Sequence, residues 1–206
     1  MTAVVGVANH NGWANLVSVA MGDETPVVVD RRRVELVTPD LPNQPYQHEA
    51  LELPIGEAQA LVDRVRTAAA ACARDALVTL KADLEPAHVL VEMALPASPF
   101  GERLPAAVID ALDYRPFVYV ADTILYLEAL EEAAPALGLV VSRHEKADAF
   151  DLAGRALGIS GSEAEAWVKA LGKPLGPPWA AEHQRAAAAA IAALPALGGG
   201  LTTRPR

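Results

Sequence analysis

The sequence holds a single cysteine, Cys72, among 206 residues. It can therefore form no intramolecular disulfide and no cysteine-based zinc site. Cys72 lies in an alanine-rich stretch and is expected to be inert packing. Aromatics are scarce at 5%, so the core has to be aliphatic. Long apolar runs are missing too: the alanine-rich stretches are broken by charges, and none is long enough to cross a bilayer. Residues 1–7 show no basic region ahead of an apolar run, so no secretory leader is expected. Basic residues are outnumbered, 17 Lys and Arg against 26 Asp and Glu, giving a formal net charge of −9. A broad nucleic-acid surface is basic, so any such contact must be a local patch. The expected compartment is the cytoplasm.

Several chemical signatures are also absent. The segment Leu171-Gly172-Lys173-Pro174 lacks the hydroxyl and the first glycine of a phosphate-binding loop. Gly158-Ile159-Ser160-Gly161-Ser162 misses the nucleophile-elbow pattern at its last position. No dinucleotide fingerprint follows the first strand, and no His-Glu-x-x-His helix occurs. These gaps weaken ATPase, dehydrogenase, serine hydrolase and zinc protease readings.

Hydrophobic residues make up 52% of the chain, enough for a sizeable core. Residues 3–8, 14–20 and 27–37 read as three β-rich runs separated by turn chemistry, Asn9-His10-Asn11-Gly12 and Gly22-Asp23-Glu24-Thr25-Pro26. Short breaks between strands predict an antiparallel meander. Residues 46–53 read as an extended edge. From 54 to 80 the apolar period becomes helical, through Ala58, Leu61, Val62, Val65, Ala69, Cys72 and Ala76. Residues 88–95 form a continuous apolar strand of the kind buried on both faces of a parallel sheet. A short helix is expected over 102–112, strands over 117–121 and 138–142, and between those strands a helix capped by Asp122 or Thr123. The last third is helical. One helix stops at Gly158, a second starts from a Ser162/Glu165 capping box, and a third covers 179–194. Trp13, Trp167 and Trp179 are expected as packing anchors.

Three antiparallel strands, a long helix, then strands alternating with helices is the order of the ribonuclease H-like fold, a mixed α/β sheet flanked by helices. Within it the chain resembles the RuvC-type Holliday junction resolvases at three places. The first strand runs into a polar turn, Gly6-Val7-Ala8-Asn9-His10-Asn11-Gly12. The fourth carries an apolar-flanked carboxylate, Val89-Leu90-Val91-Glu92. The final helix opens on Glu182-His183-Gln184-Arg185-Ala186-Ala187. The length suits one domain, over 1–197, and 198–206 read as a flexible tail; the resemblance implies a two-metal phosphodiesterase site. Such a site holds Mg²⁺ or Mn²⁺ through hard oxygen ligands. It implies Glu92, Asn9 and His183 as metal ligands, with Glu92, His183 and His10 catalytic. The chain departs from the pattern at its first position, where the expected aspartate is Asn9.

The residues themselves leave alternatives open. Asn9 and His10 are also a good polar turn; His10 could serve as a base. Glu92 could be a structural ion-pair member, and His183 a hydrogen-bonded, partly buried histidine. Strand alternation places Arg31 and Arg33 on one face and Arg32 on the other. They make either an exposed sheet face or an anion clamp. His48 and Glu49 follow a proline-rich loop and could reach the strand ends. Asp122 could line the same cleft. Three functions remain: a metal-dependent nuclease relative with a partly degenerate site, a non-catalytic binding or scaffold protein, and a small-molecule enzyme using His10, His48 and Glu92. Expected partners are nucleic acid through a local patch and a second copy of the chain, with no membrane.

Overall fold

The computed structural model describes residues 1–194; the expected tail from 198 lies outside them. The three predicted opening strands are present as β1 (Thr2–His10), β2 (Trp13–Met21) and β3 (Pro26–Glu35). A two-residue turn at Asn11-Gly12 joins β1 to β2. Gly12 has φ 89, a conformation that favours glycine in tight hairpins. β4 (Val89–Pro96) and β5 (Val140–His144) complete a five-stranded sheet in the order β3-β2-β1-β4-β5. β1 to β3 pair antiparallel, while β1-β4 and β4-β5 pair parallel.

Both parallel connections step the same way across the sheet, so a right-handed crossover puts their helices on one face. These are α2 (Ile55–Leu84) and α4 (Arg115–Ala133), preceded by the short α1 (Glu49–Glu52) and α3 (Val108–Leu112) respectively. α2 buries Ala58, Leu61, Val62, Val65, Ala69, Ala73, Leu77, Leu80 and Leu84, one stripe at helical spacing. Cys72 lies just off that stripe, half-buried, and burial pushes its thiol pKa up. After β5 the chain crosses to the opposite face as α5 (Ala149–Leu157), α6 (Gly161–Leu171) and α7 (Ala181–Ala193). Val5, Val7 and Met93 belong to the first core, and Val4, Val17 and Ile191 to the second.

Four expectations change. Residues 117–121 are not a strand but part of α4. Phe, Val and Tyr favour strands locally, yet Val118, Ala121, Asp122 and Leu125 are buried at helical spacing, and Pro116 suits the first turn. Asp122 and Thr123 are consequently mid-helix and cap nothing. Residues 46–53 turn into α1 rather than extending as an edge. The capping box is present two residues early, with Ser160 accepting from the Glu163 amide and Glu163 accepting from the Ser160 amide.

α7 crosses β1 in close contact at Gly6. A Cβ added at Gly6 would lie 1.8 Å from the Ala186 carbonyl oxygen. Only glycine permits that approach, and the alanine-rich face of α7, Ala186 to Ala190, permits it from the other side. Gly6→Ala should therefore force α7 off the sheet. The expected loss is about 1–3 kcal/mol or more, read as a lowered urea midpoint.

Candidate anion site at the strand tips

The antiparallel run of α7 over β1 carries its first turn to the C-terminal tips of β1, β4 and β5. Open α/β sheets bind ligands at such tips. There a cavity of about 190 Å³ is lined by Val7, Ala8, Asn9, His10, Pro96, His144, Lys146, Glu182 and Arg185. Val7 and Asn9 are buried; Lys146 and Arg185 are exposed. The cavity thus has a closed floor and a cationic rim.

Asn9 is 6% exposed, and neither its amide nitrogen nor its amide oxygen has a hydrogen-bond partner. A buried unpaired amide costs about 1–3 kcal/mol. His10 is held on both sides. Its Nε2 lies 3.0 Å from Glu182 Oε2, and its ring stacks on Trp13 at 3.8 Å between centroids. The Arg33 guanidinium lies 4.0 Å from the Trp13 ring centroid, while its Nε donates to Glu35. Asn15 Nδ2 also donates to Glu182 Oε2, at 3.3 Å. Glu182 is therefore tied to β1 and β2 through Oε2 while it lines the cavity. Burial holds the His144 imidazole below its ordinary pKa.

Other candidates lie elsewhere. Glu92 pairs in register with Val4, five residues before Asn9. At about 3.3 Å per residue that is roughly 16 Å short of the tip. Alternation also puts Glu92 on the face of Val4 and Asn9 on that of Val5 and Val7. His183 is buried and centred 6.2 Å from the Trp179 ring. Burial and the nearby Arg31 lower its pKa, and it does not line the cavity. Arg31 donates to the Gly176 carbonyl at 3.0 Å and to that of Pro178, which fastens the connection before α7. Arg32 points the other way, to Asp30 and to Asp83 of α2, as alternation requires. His48 is exposed and bonded to Gln44, and Glu49 opens α1 on the surface. Trp179 donates to the Val168 carbonyl and is a packing anchor, as expected.

Asp122 is fully buried and accepts from the Tyr46 and Gln47 amides at 3.1 Å each. It pins the loop before α1 to α4 and stands apart from the cavity. Burial raises its pKa to about 6 against those two hydrogen bonds.

No sequence pattern marks Lys146 and Arg185, since a lone lysine after a strand and a helix-borne arginine are ordinary surface residues. Continuing the register Gly6 to Ala94 by two residues sets Ala8 beside Pro96. Neither side chain can ligate a metal. Among the described residues no three His, Cys, Asp or Glu side chains are grouped to hold an ion. The donors at the strand tips therefore do not fit the divalent pair that the resemblance implied.

No family model and no curated protein sequence matches the chain. Among solved structures it is similar to Thermus thermophilus RuvC, with a TM-score of 0.51 and 15% identity, covering 93% of this chain and 92% of that one. The fold is ribonuclease H-like. T. thermophilus RuvC in complex with a Holliday junction substrate gives a TM-score of 0.48 at the same identity and coverage. At this identity the likeness shows the ribonuclease H-like architecture and leaves function to the site. Among the described residues no helix is long and apolar enough to cross a membrane.

The raised pKa of Asp122 has a definite pH signature. Folded Asp122 holds its proton up to about pH 6, whereas the unfolded carboxyl releases it near 3.8. Its stabilising contribution is full below that lower value and is lost as pH rises through about 6. Relative to Asp122→Asn, the wild type should lose about 3 kcal/mol between these limits, at 1.36 kcal/mol per unit. Paired denaturant titrations across that range read the difference.

Proposed function

We propose that the chain is a metal-independent nucleic-acid-binding protein built on the ribonuclease H-like fold, rather than a two-metal nuclease. The observation that carries this reading is the charge at the strand tips. Lys146 and Arg185 line the cavity at the strand tips, and the position of the expected aspartate is held by the neutral Asn9. Cations attract phosphate directly, without a bridging metal. The first turn of α7 adds the positive end of its dipole.

A second cavity adjoins the first through Lys146 and is lined by Ser98, Phe100, Gly101, Thr123 and Glu145, among others. Phe100 is 73% exposed with φ 56, a backbone region that bulky side chains rarely adopt. An aromatic ring presented in the same cavity as Lys146 suits a single-stranded segment, whose bases stack on side chains. The charge of −9 restricts the contact to this patch and makes it sensitive to salt.

The small-molecule alternative needs His10, His48 and Glu92 together, and their separate positions give it no support. A scaffold role remains compatible with the binding function, since neither requires turnover.

Fluorescence anisotropy with single-stranded and four-way-junction DNA tests the reading. Binding should be as tight in EDTA as in Mg²⁺, with no cleavage in Mg²⁺ or Mn²⁺. Reversing both cations, Lys146→Glu with Arg185→Glu, should cost about tenfold or more in affinity. The single change Arg185→Gln should lower the salt slope on single strands by about 0.7. Metal-dependent cleavage abolished by Glu182→Gln, or no binding to either DNA, would overturn it.

A further inference from the structure

The segment from Phe100 to Phe117 carries a surface of different character. The chain has only three tryptophans, four tyrosines and three phenylalanines. Three of these rings, Phe100, Tyr114 and Phe117, line one cavity of about 510 Å³ together with Pro105. Tyr46 and Tyr126 are fully buried, yet Phe100 is 73% and Tyr114 61% exposed. Aromatic rings gain much from burial, so rings left in water around one cavity mark a binding surface. Local backbone fixes both. Phe100 sits in the 3₁₀ turn Pro99–Gly101, and Tyr114 is the residue before α4.

Charge narrows the occupant. The charged side chains of the lining are Glu102, Arg103 and Asp110. Arg103 is already engaged: it donates to Glu131 at 2.9 Å and lies 3.9 Å from Glu128. Among the described residues Glu102 and Asp110 make no ion pair. Asp113 and Arg115, on either side of Tyr114, are opposite in sign. The cavity therefore repels phosphate, which excludes nucleic acid and anionic lipid from it. A second copy carries the same net charge of −9 and meets like with like. An arginine side chain suits both features of the lining. Its guanidinium stacks on aromatic faces and pairs with carboxylates, and its methylenes cover apolar surface.

The lining also selects the form of the occupant. A docked helix needs a groove long enough for anchors at i, i+3, i+4 and i+7. Here the walls are a short strap, residues 100–105, and the starts of α3 and α4. An extended proline-bearing segment is pre-formed and packs its rings on exposed aromatics over a short length.

We propose that this cavity docks an extended, proline- and arginine-bearing segment of a partner protein. Its prolines pack on Phe100, Tyr114 and Phe117, and its arginine pairs with Glu102 and Asp110. The proposal is independent of the nucleic-acid reading, since Glu102, Asp110 and Tyr114 lie outside both strand-tip cavities.

The test is fluorescence anisotropy with three labelled peptides on the full chain, built from four repeats of Arg-Pro-Pro, Glu-Pro-Pro or Arg-Gly-Gly. The Arg-Pro-Pro peptide should bind about tenfold or more tighter than the Glu-Pro-Pro peptide, because like charges face each other in the latter. It should also bind severalfold tighter than the Arg-Gly-Gly peptide, which has to be ordered on binding. Tyr114→Ala should weaken it by about tenfold or more without lowering the melting temperature, because the ring is exposed. Glu102→Lys with Asp110→Lys should reverse the preference, so that Glu-Pro-Pro binds the tighter; a reversal cannot come from a misfolded variant. Equal binding of the arginine and glutamate peptides, no binding of either, or full binding by Tyr114→Ala would overturn the proposal. Equal binding of Arg-Gly-Gly would overturn the proline-bearing occupant. Self-association lost in Tyr114→Ala, with no peptide bound, would overturn it in favour of a second copy.

Discussion

The backbone-to-helix crossing of β1 by α7 governs everything at the strand tips. Gly6 has no side chain to hold the Ala186 carbonyl away, so the helix lies directly on the strand. Its antiparallel course then fixes the rest. Four residues before Ala186, Glu182 meets His10; one residue before it, Arg185 stands over the cavity. Arg31 holds the approach to this helix by its grip on the Gly176 and Pro178 carbonyls. The His10 ring and the Arg33 guanidinium, both packed on Trp13, brace the hairpin beside it. A shift of one turn in α7 would replace this set of side chains with alanines.

The arrangement inverts the electrostatics that a divalent-metal site needs. Metal pairs require several ionised oxygens converging on one point. Here the single carboxylate of the lining is bonded to His10 and Asn15, two cations line the opening, and burial disfavours the charged form of His144. The same sheet and crossovers thus present an attractive surface to an anion and a poor one to a cation. Architecture alone does not decide between the two chemistries. Side chains at four or five positions do.

Much of the architecture was legible from pattern. The opening meander, the long helix and the buried fourth strand each show a period that local chemistry enforces, and the order of elements led to the right fold. The failures have physical causes. Phe117 to Ala121 is a good strand sequence, but α4 buries a helical stripe there, and packing outweighs local preference. Glu92 was legible as a carboxylate in an apolar strand, yet its height along the sheet depends on the register with β1, including the irregularity between Ala3 and Val4. No sequence pattern states that register. Asn9 and His10 were legible as a polar strand-end turn because that chemistry is distinctive. Lys146 and Arg185 were not, since only the fold brings two ordinary surface cations to one opening.

The most direct measurement of the central claim is a pair of NMR titrations on nitrogen-labelled protein, one with inorganic phosphate and one with Mn²⁺. The amides of Ala8, Asn9, His10, His144 and Lys146 are the reporters. An anion site predicts that phosphate shifts these resonances together, while Mn²⁺ broadens them no more than other surface amides. Selective broadening of this group by low Mn²⁺, with no response to phosphate, would contradict the account.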